Sequence, residues 1–118
     1  MQTYIWFIIS NQSRMNTQAL TTPTQLQQAQ PVAKEWLKLF KFQQEDVLTS
    51  KEEKNRRQHD LLQATLLGNA FRNKVKIYFE DKGGLKCVET TVWGITEDKV
   101  ILKQNITLPI NRIHKVLY

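Results

Sequence analysis

The sequence predicts a mainly β fold preceded by one or two α-helices, with five short antiparallel strands that close into a small barrel. Two observations support this prediction. Apolar residues recur every three or four positions from Pro31 to about residue 68, and they alternate with polar residues beyond residue 73. Clusters of Gly, Asn and Asp interrupt the alternating part, as tight turns between short strands do. A chain of 118 residues is long enough for one domain.

The composition divides the chain into three parts. Residues 1–30 carry a single charged side chain, Arg14, among many Gln, Thr, Asn and Ser, so we expect a disordered or weakly ordered tail. Two interpretations of residues 1–14 remain open, an over-extended start or a short membrane-touching anchor. Residues 31–68 are predicted to be helical, and residues 69–118 to form the small barrel.

Composition and charge exclude several classes of protein. No apolar run approaches the about eighteen residues that span a bilayer, so we expect a cytoplasmic protein with no membrane partner. The single cysteine excludes an intrachain disulfide. Lys and Arg number 17 against 11 acidic residues, which gives a formal net charge of +6. Most of the basic excess lies in residues 71–118, and this favours a polyanionic partner.

The first predicted helix is short and amphipathic. Pro31 suits a first helical turn, and Trp36, Leu37 and Phe40 follow at helical spacing. Packing onto the domain is the simpler role for its aromatic residues. The alternative is a docking surface for a protein partner, formed by the Trp36/Phe40 helix.

The second predicted helix has clear signals at both ends. Ser50 followed by Glu53 is a capping-box pattern, and Gly68 with Asn69 provides a stop because both tolerate the left-handed conformation. Apolar residues gather near its C-terminal end, and we expect three of them to cover one open end of the barrel. These three are Leu62, Leu66 and Leu67.

Five strands are predicted after the helices. Gly83 and Gly84 form the first turn, and Gly94 is expected to allow a sharp bend in the long second strand. Pro109 cannot donate to a ladder, which places the fourth strand at an edge or a bend. The strands are predicted over residues 74–80, 85–95, 100–103, 106–110 and 114–118.

This order of a helix and five short strands resembles the Sm-like or SH3-like small barrel over residues 58–118. Residues 66–118 also resemble a family of short, uncharacterised bacterial proteins. The segments that carry the second resemblance are Leu67-Gly68-Asn69-Ala70, Lys74-Val75-Lys76-Ile77, Glu89-Thr90-Thr91-Val92-Trp93 and Ile106-Thr107-Leu108-Pro109-Ile110-Asn111-Arg112-Ile113.

The Sm-like resemblance implies RNA binding and a homo-oligomer that assembles by pairing of strand edges. Bacterial Sm-like RNA chaperones carry a Lys-His pair in their uridine pocket, ahead of the last strand. Ile110 and Asn111 occupy that place here, so the sequence departs from the family pattern at this pocket.

The outward face of the first strand carries the strongest functional signal. Three cations alternate there with a tyrosine beyond them, and pairing of the last strand with the first would add two more cations. Cations beside an aromatic ring suit a phosphate backbone and a stacked base, although a solvated, charged edge has the same pattern. The predicted nucleic-acid-binding residues are Arg72, Lys74, Lys76, Tyr78, Arg112 and Lys115.

No catalytic, metal or cofactor site is predicted. Cys87 alternates into a strand as a small apolar residue, and His59 and His114 stand at no spacing typical of a nucleophile–base pair or a metal cluster. Glu89 is expected to pair with a cross-strand lysine rather than to lie inward on its strand. Trp93 is expected to be a core residue that caps one end of the barrel rather than a base-stacking platform. The sequence therefore predicts a non-catalytic nucleic-acid-binding protein with RNA as its partner. A protein–protein interaction module is the alternative.

Overall fold

The structure, a computed structural model, describes residues 26–118. The interpretations of residues 1–14, and most of the predicted tail, lie outside the described residues. Residues 26–30 were expected to belong to that tail, but Leu26 is buried and Gln30 begins the first strand. The fold therefore extends further towards the N-terminus than the polar composition predicts.

The described residues form one α-helix, seven strands and three 3-10 helices. The helix is α1 (Lys51–Phe71), and the 3-10 helices are Lys34–Leu39, Lys103–Asn105 and Ile110–Arg112. The strands are β1 (Gln30–Val32), β2 (Val75–Asp81), β3 (Gly84–Thr90), β4 (Val92–Ile95), β5 (Lys99–Leu102), β6 (Thr107–Pro109) and β7 (Ile113–Leu117).

The strands form two sheets, which confirms a mainly β fold with a helix. One sheet has the order β1-β3-β2-β7 and the other β4-β5-β6. All pairs are antiparallel except β1 with β3. Within residues 26–118 no ladder joins β6 to β7, so a closed barrel is not found there. Pro109 lies in β6, an edge strand, as its missing N–H predicts.

The prediction of an α-helix that starts at Pro31 is wrong. Pro31 lies in the edge strand β1, opposite Cys87, and only a short 3-10 helix follows. Leu37 and Phe40 are three positions apart, which is typical of a helix, and in the structure both pack against the core. The Phe40 and Phe42 rings lie 6.2 and 6.1 Å from the Phe79 ring, so Phe40 packs within the fold.

Helix α1 begins where its capping pattern predicts. The Ser50 hydroxyl accepts hydrogen bonds from the backbone N–H groups of Glu52 and Glu53, at 3.1 and 3.3 Å. These bonds satisfy two of the donors that a helix leaves free at its N-terminus. The structure therefore confirms Ser50 as the N-cap of α1.

The helix does not stop at Gly68. It continues to Phe71, and Arg72 ends it in the left-handed conformation with φ of 57°. A Cβ atom at Gly68 would overlap the Val92 carbonyl oxygen. Gly68 therefore allows α1 to approach β4 closely, and another residue serves as the C-cap.

The buried face of α1 also differs from the prediction. Leu62 and Leu66 are exposed, whereas Leu61 and Ala64 are fully buried. Since only one narrow face of the helix meets β4 and β7, most of the leucine cluster points elsewhere. The core between helix and sheets includes Leu61, Val75, Ile77, Phe79, Val88, Val92, Leu102, Leu108 and Ile113.

Candidate functional site

The structure divides the predicted nucleic-acid-binding residues among several places. Arg72 and Lys74 line one surface cavity, and Lys76 and Tyr78 line another. Lys115 lies opposite Tyr78 on β7. The continuous stripe expected from strand alternation is therefore broken into separate parts.

Arg112 is a structural residue and not a surface cation. It is 3% exposed, and its guanidinium donates to the Glu80 and Glu45 carbonyl oxygens at 3.1 and 2.7 Å. It also donates to the Gln43 side-chain oxygen at 2.8 Å. The prediction of Arg112 as an exposed cation is wrong, because it is buried and its donors bind acceptors in β2 and in the irregular segment before α1.

Tyr78 is also buried, at 9% exposure, which removes it as a free stacking surface. It lies opposite Cys87 in the β2–β3 ladder. Burial raises the pKa of both groups, so both remain protonated near neutral pH. The N-terminal residues around Leu26 and Pro31 line the same cavity of about 470 Å³. Residues just before and within β1, which the sequence analysis did not place in the fold, thus lie near Tyr78.

The register of β2 and β3 places Lys76 directly opposite Glu89, the carboxylate expected to face a cross-strand lysine. The positive charge of Lys76 thus faces a negative one. This arrangement is less suited to a polyanion than a group of unpaired cations.

A more basic cavity lies where α1 ends. It has a volume of about 630 Å³, and we call it the basic cavity. Its lining comes from the end of α1, the link to β2, the β3–β4 junction and the 3-10 helix after β5. The lining residues are Gly68, Asn69, Arg72, Lys74, Thr91, Trp93 and Lys103.

Backbone hydrogen bonds position the cations of this cavity. The Arg72 N–H donates to the Gly68 carbonyl at 2.9 Å, which fixes the turn that leads to Lys74. The Lys103 N–H donates to the Thr91 carbonyl at 3.1 Å. This bond brings the end of β5 beside the β3–β4 junction, so residues far apart in the sequence meet at one cavity.

Trp93 lies at the wall of the basic cavity, and its expected place in the core is wrong. It is 46% exposed, while its neighbour Val92 is fully buried. The β4–β5 register shifts between Val92 and Gly94, and this irregularity falls at Trp93. The long strand breaks at Thr91 instead of bending at Gly94, the position that the glycine suggested.

The charges of the basic cavity are unbalanced. No carboxylate lines it, and Arg72, Lys74 and Lys103 form no salt bridge with any residue between 26 and 118. Lys86 provides a contrast, because its ammonium group is buried 2.6 Å from Asp81 and 5.1 Å from the centre of the Phe40 ring. The cations of the cavity thus remain free to bind an anion.

A polar cluster lies at the end of β2 that is far from Lys74. His114 Nε2 is 2.9 Å from Glu80 Oε1, and Glu80 also lies 4.0 Å from the buried Arg112 guanidinium.

In the part of the chain that the structure describes, no three His, Cys, Asp or Glu side chains gather as metal ligands. No helix in the same range is long and apolar enough to span a membrane.

Comparison of the chain with protein-family models, curated proteins and solved structures finds no match. Function is therefore inferred from the geometry and charge of the basic cavity.

Proposed function

We propose that this protein is a small, non-catalytic RNA-binding protein of the Sm-like type that acts in the cytoplasm and binds RNA at the basic cavity. One observation carries the proposal: three cations without a salt bridge among the described residues surround an exposed tryptophan in a single cavity. Phosphates neutralise such cations, and bases stack on aromatic rings.

The proposal includes the finer architecture. We propose that the two sheets are the halves of one five-stranded small barrel, in which β3 and β4 form a single bent strand. The order β7-β2-β3 in one sheet and β4-β5-β6 in the other supports this interpretation. Strand β1 is then an addition at the outer edge of β3.

Binding at the basic cavity releases the counterions that neutralise the RNA phosphates. If Arg72, Lys74 and Lys103 each neutralise one phosphate, the logarithm of the binding constant falls with the logarithm of the salt concentration with a slope of about −2. Because the cations come from three separate segments, the site forms only in the folded protein.

The geometry favours this function over a docking module built on the Trp36/Phe40 helix. That segment contains a 3-10 helix of six residues, and Phe40 packs against Phe79. Of Trp36 and Phe40, only Trp36 is largely exposed.

Charge reversal tests the proposed function. The double variant Lys74→Glu and Lys103→Glu should weaken binding of a labelled single-stranded RNA at least about tenfold, measured by fluorescence anisotropy, and flatten its salt dependence. The matched control is Lys38→Glu with Lys82→Glu, which changes the net charge equally at two exposed positions outside the cavity. Equal weakening by both pairs, or no RNA binding by the unmodified protein, would contradict the proposal.

A further inference from the structure

Trp93 is an exposed aromatic residue with a constrained backbone. Val92 beside it is fully buried, and Val92 pairs with Leu102 in the β4–β5 ladder. Because Val92 faces the core, strand alternation turns the Trp93 indole outwards, and the pairing of Val92 with Leu102 anchors the backbone beside it. The ring thus projects from a constrained part of the sheet, and this preorganisation lowers the entropic cost of binding.

The size of the basic cavity suits a small ligand. A volume of about 630 Å³ lies within the usual range for small-molecule sites, roughly 300–1,000 Å³. A single nucleotide fits this space. A base inside a duplex stays stacked on both faces and would have to leave the stack to enter, which is costly.

The remaining lining groups complement a nucleotide. Arg72, Lys74 and Lys103 can neutralise the phosphates on either side of an inserted base. Asn69, exposed near the end of α1, offers an amide donor and a carbonyl acceptor to a base edge. The cavity therefore combines an aromatic face, unpaired cations and a polar side chain in one lining.

We infer that the basic cavity binds single-stranded RNA by stacking one unpaired base on the Trp93 indole, and that it discriminates against duplex RNA. This inference rests on the proposed function, which requires only that the cavity bind RNA. Affinity then depends on two separable parts, the charge of the three cations and the aromatic face of Trp93.

The test compares Trp93→Ala with the matched control Trp36→Ala, which removes a similarly exposed tryptophan outside the cavity. Three probes are used: a single-stranded RNA, the duplex of the same sequence and inorganic polyphosphate. We expect Trp93→Ala to weaken single-strand binding at least about tenfold and to change polyphosphate binding less than about twofold. Trp36→Ala should leave all three affinities unchanged, and Trp93→Phe should retain most of the single-strand affinity.

The outcomes separate this inference from the proposed function. If Trp93→Ala binds the single strand as tightly as the unmodified protein does, stacking is excluded, although RNA binding at the cations would still stand. Should the alanine variant fail to fold, Trp93→Leu replaces it, because leucine keeps an apolar side chain without an aromatic face. Equal affinity of the unmodified protein for duplex and single strand also overturns the inference. If the unmodified protein binds no RNA, the proposed function itself fails.

Discussion

At the scale of single residues, Arg57 joins three parts of the fold. Its guanidinium donates to both carboxylate oxygens of Asp46 at 2.9 and 2.8 Å, and to the Ile113 carbonyl at 3.0 Å. Helix α1, the loop before it and strand β7 are thereby tied together by one buried side chain. Bidentate pairs of this kind are among the stronger polar contacts in proteins.

The Asp46 carboxylate should make stability depend on acid. Desolvation alone would raise the pKa of Asp46, but hydrogen bonds from Arg57 and the Leu48 N–H and attraction to nearby cations leave it below its ordinary value of 3.8. A depressed folded-state pKa contributes stability that is fully present above about pH 4 and is lost as the pH falls through the folded-state pKa. Urea unfolding at several pH values measures this role. Asp46→Asn should lower the free energy of unfolding at pH 7, and that free energy should then decrease less below pH 4 than it does in the unmodified protein. An unchanged acid dependence would contradict this role.

Residue-level prediction failed at Trp93 and at Lys103. Trp93 was expected in the core, but strand alternation with the buried Val92 turns it to the opposite face. Lys103 becomes part of the basic cavity through a backbone bond to Thr91, a contact between distant positions. Lys74 was predicted because it lies on the outward face of the first predicted strand. Alternation of this kind cannot detect a contact between distant positions.

At the scale of secondary-structure elements, the close contact of α1 with β4 depends on Gly68. In an exposed helix interior, Gly→Ala is stabilising by about 1 kcal/mol. Here the added Cβ would overlap the Val92 carbonyl oxygen and lie 3.1 Å from Thr91 Cγ2. We therefore expect Gly68→Ala to destabilise the fold by about 1–3 kcal/mol in urea unfolding, because the helix must move away from β4.

The control for Gly68→Ala is Asn55→Ala, at an exposed position of the same helix. It tests alanine in α1 without a contact to the sheet, and it should change stability little. A Gly68→Ala variant as stable as the unmodified protein would show that the helix does not need this close approach.

Elements with local signals were predicted well, and elements that depend on distant pairing were not. Ser50 caps α1 through its own neighbours, and alternation alone identifies the core face of β2 at Val75, Ile77 and Phe79. Strand β1 has only three residues and forms by parallel pairing with β3, more than fifty positions away. No local pattern reports such a partner.

At the scale of the whole molecule, the fold brings three cations from separate segments to one cavity. The Arg57–Asp46 and Lys86–Asp81 pairs lie within the structure, where they join parts of the fold. Several other described cations also have no salt bridge, but Arg72, Lys74 and Lys103 share the lining of the basic cavity. The composition predicted a basic protein, but only the folded chain brings these three charges together. Assembly by pairing of strand edges stays a prediction.

The proposal that RNA binds at the basic cavity is tested most directly by NMR. The RNA contact is mapped on the full chain by amide and indole N–H chemical shifts. On addition of a short single-stranded RNA, the largest shifts should cluster at Asn69, Arg72, Lys74, Thr91, Lys103 and the indole of Trp93. Shifts centred instead on the second cavity, which Lys76 and Tyr78 line, or on Trp36, would contradict RNA binding at the basic cavity.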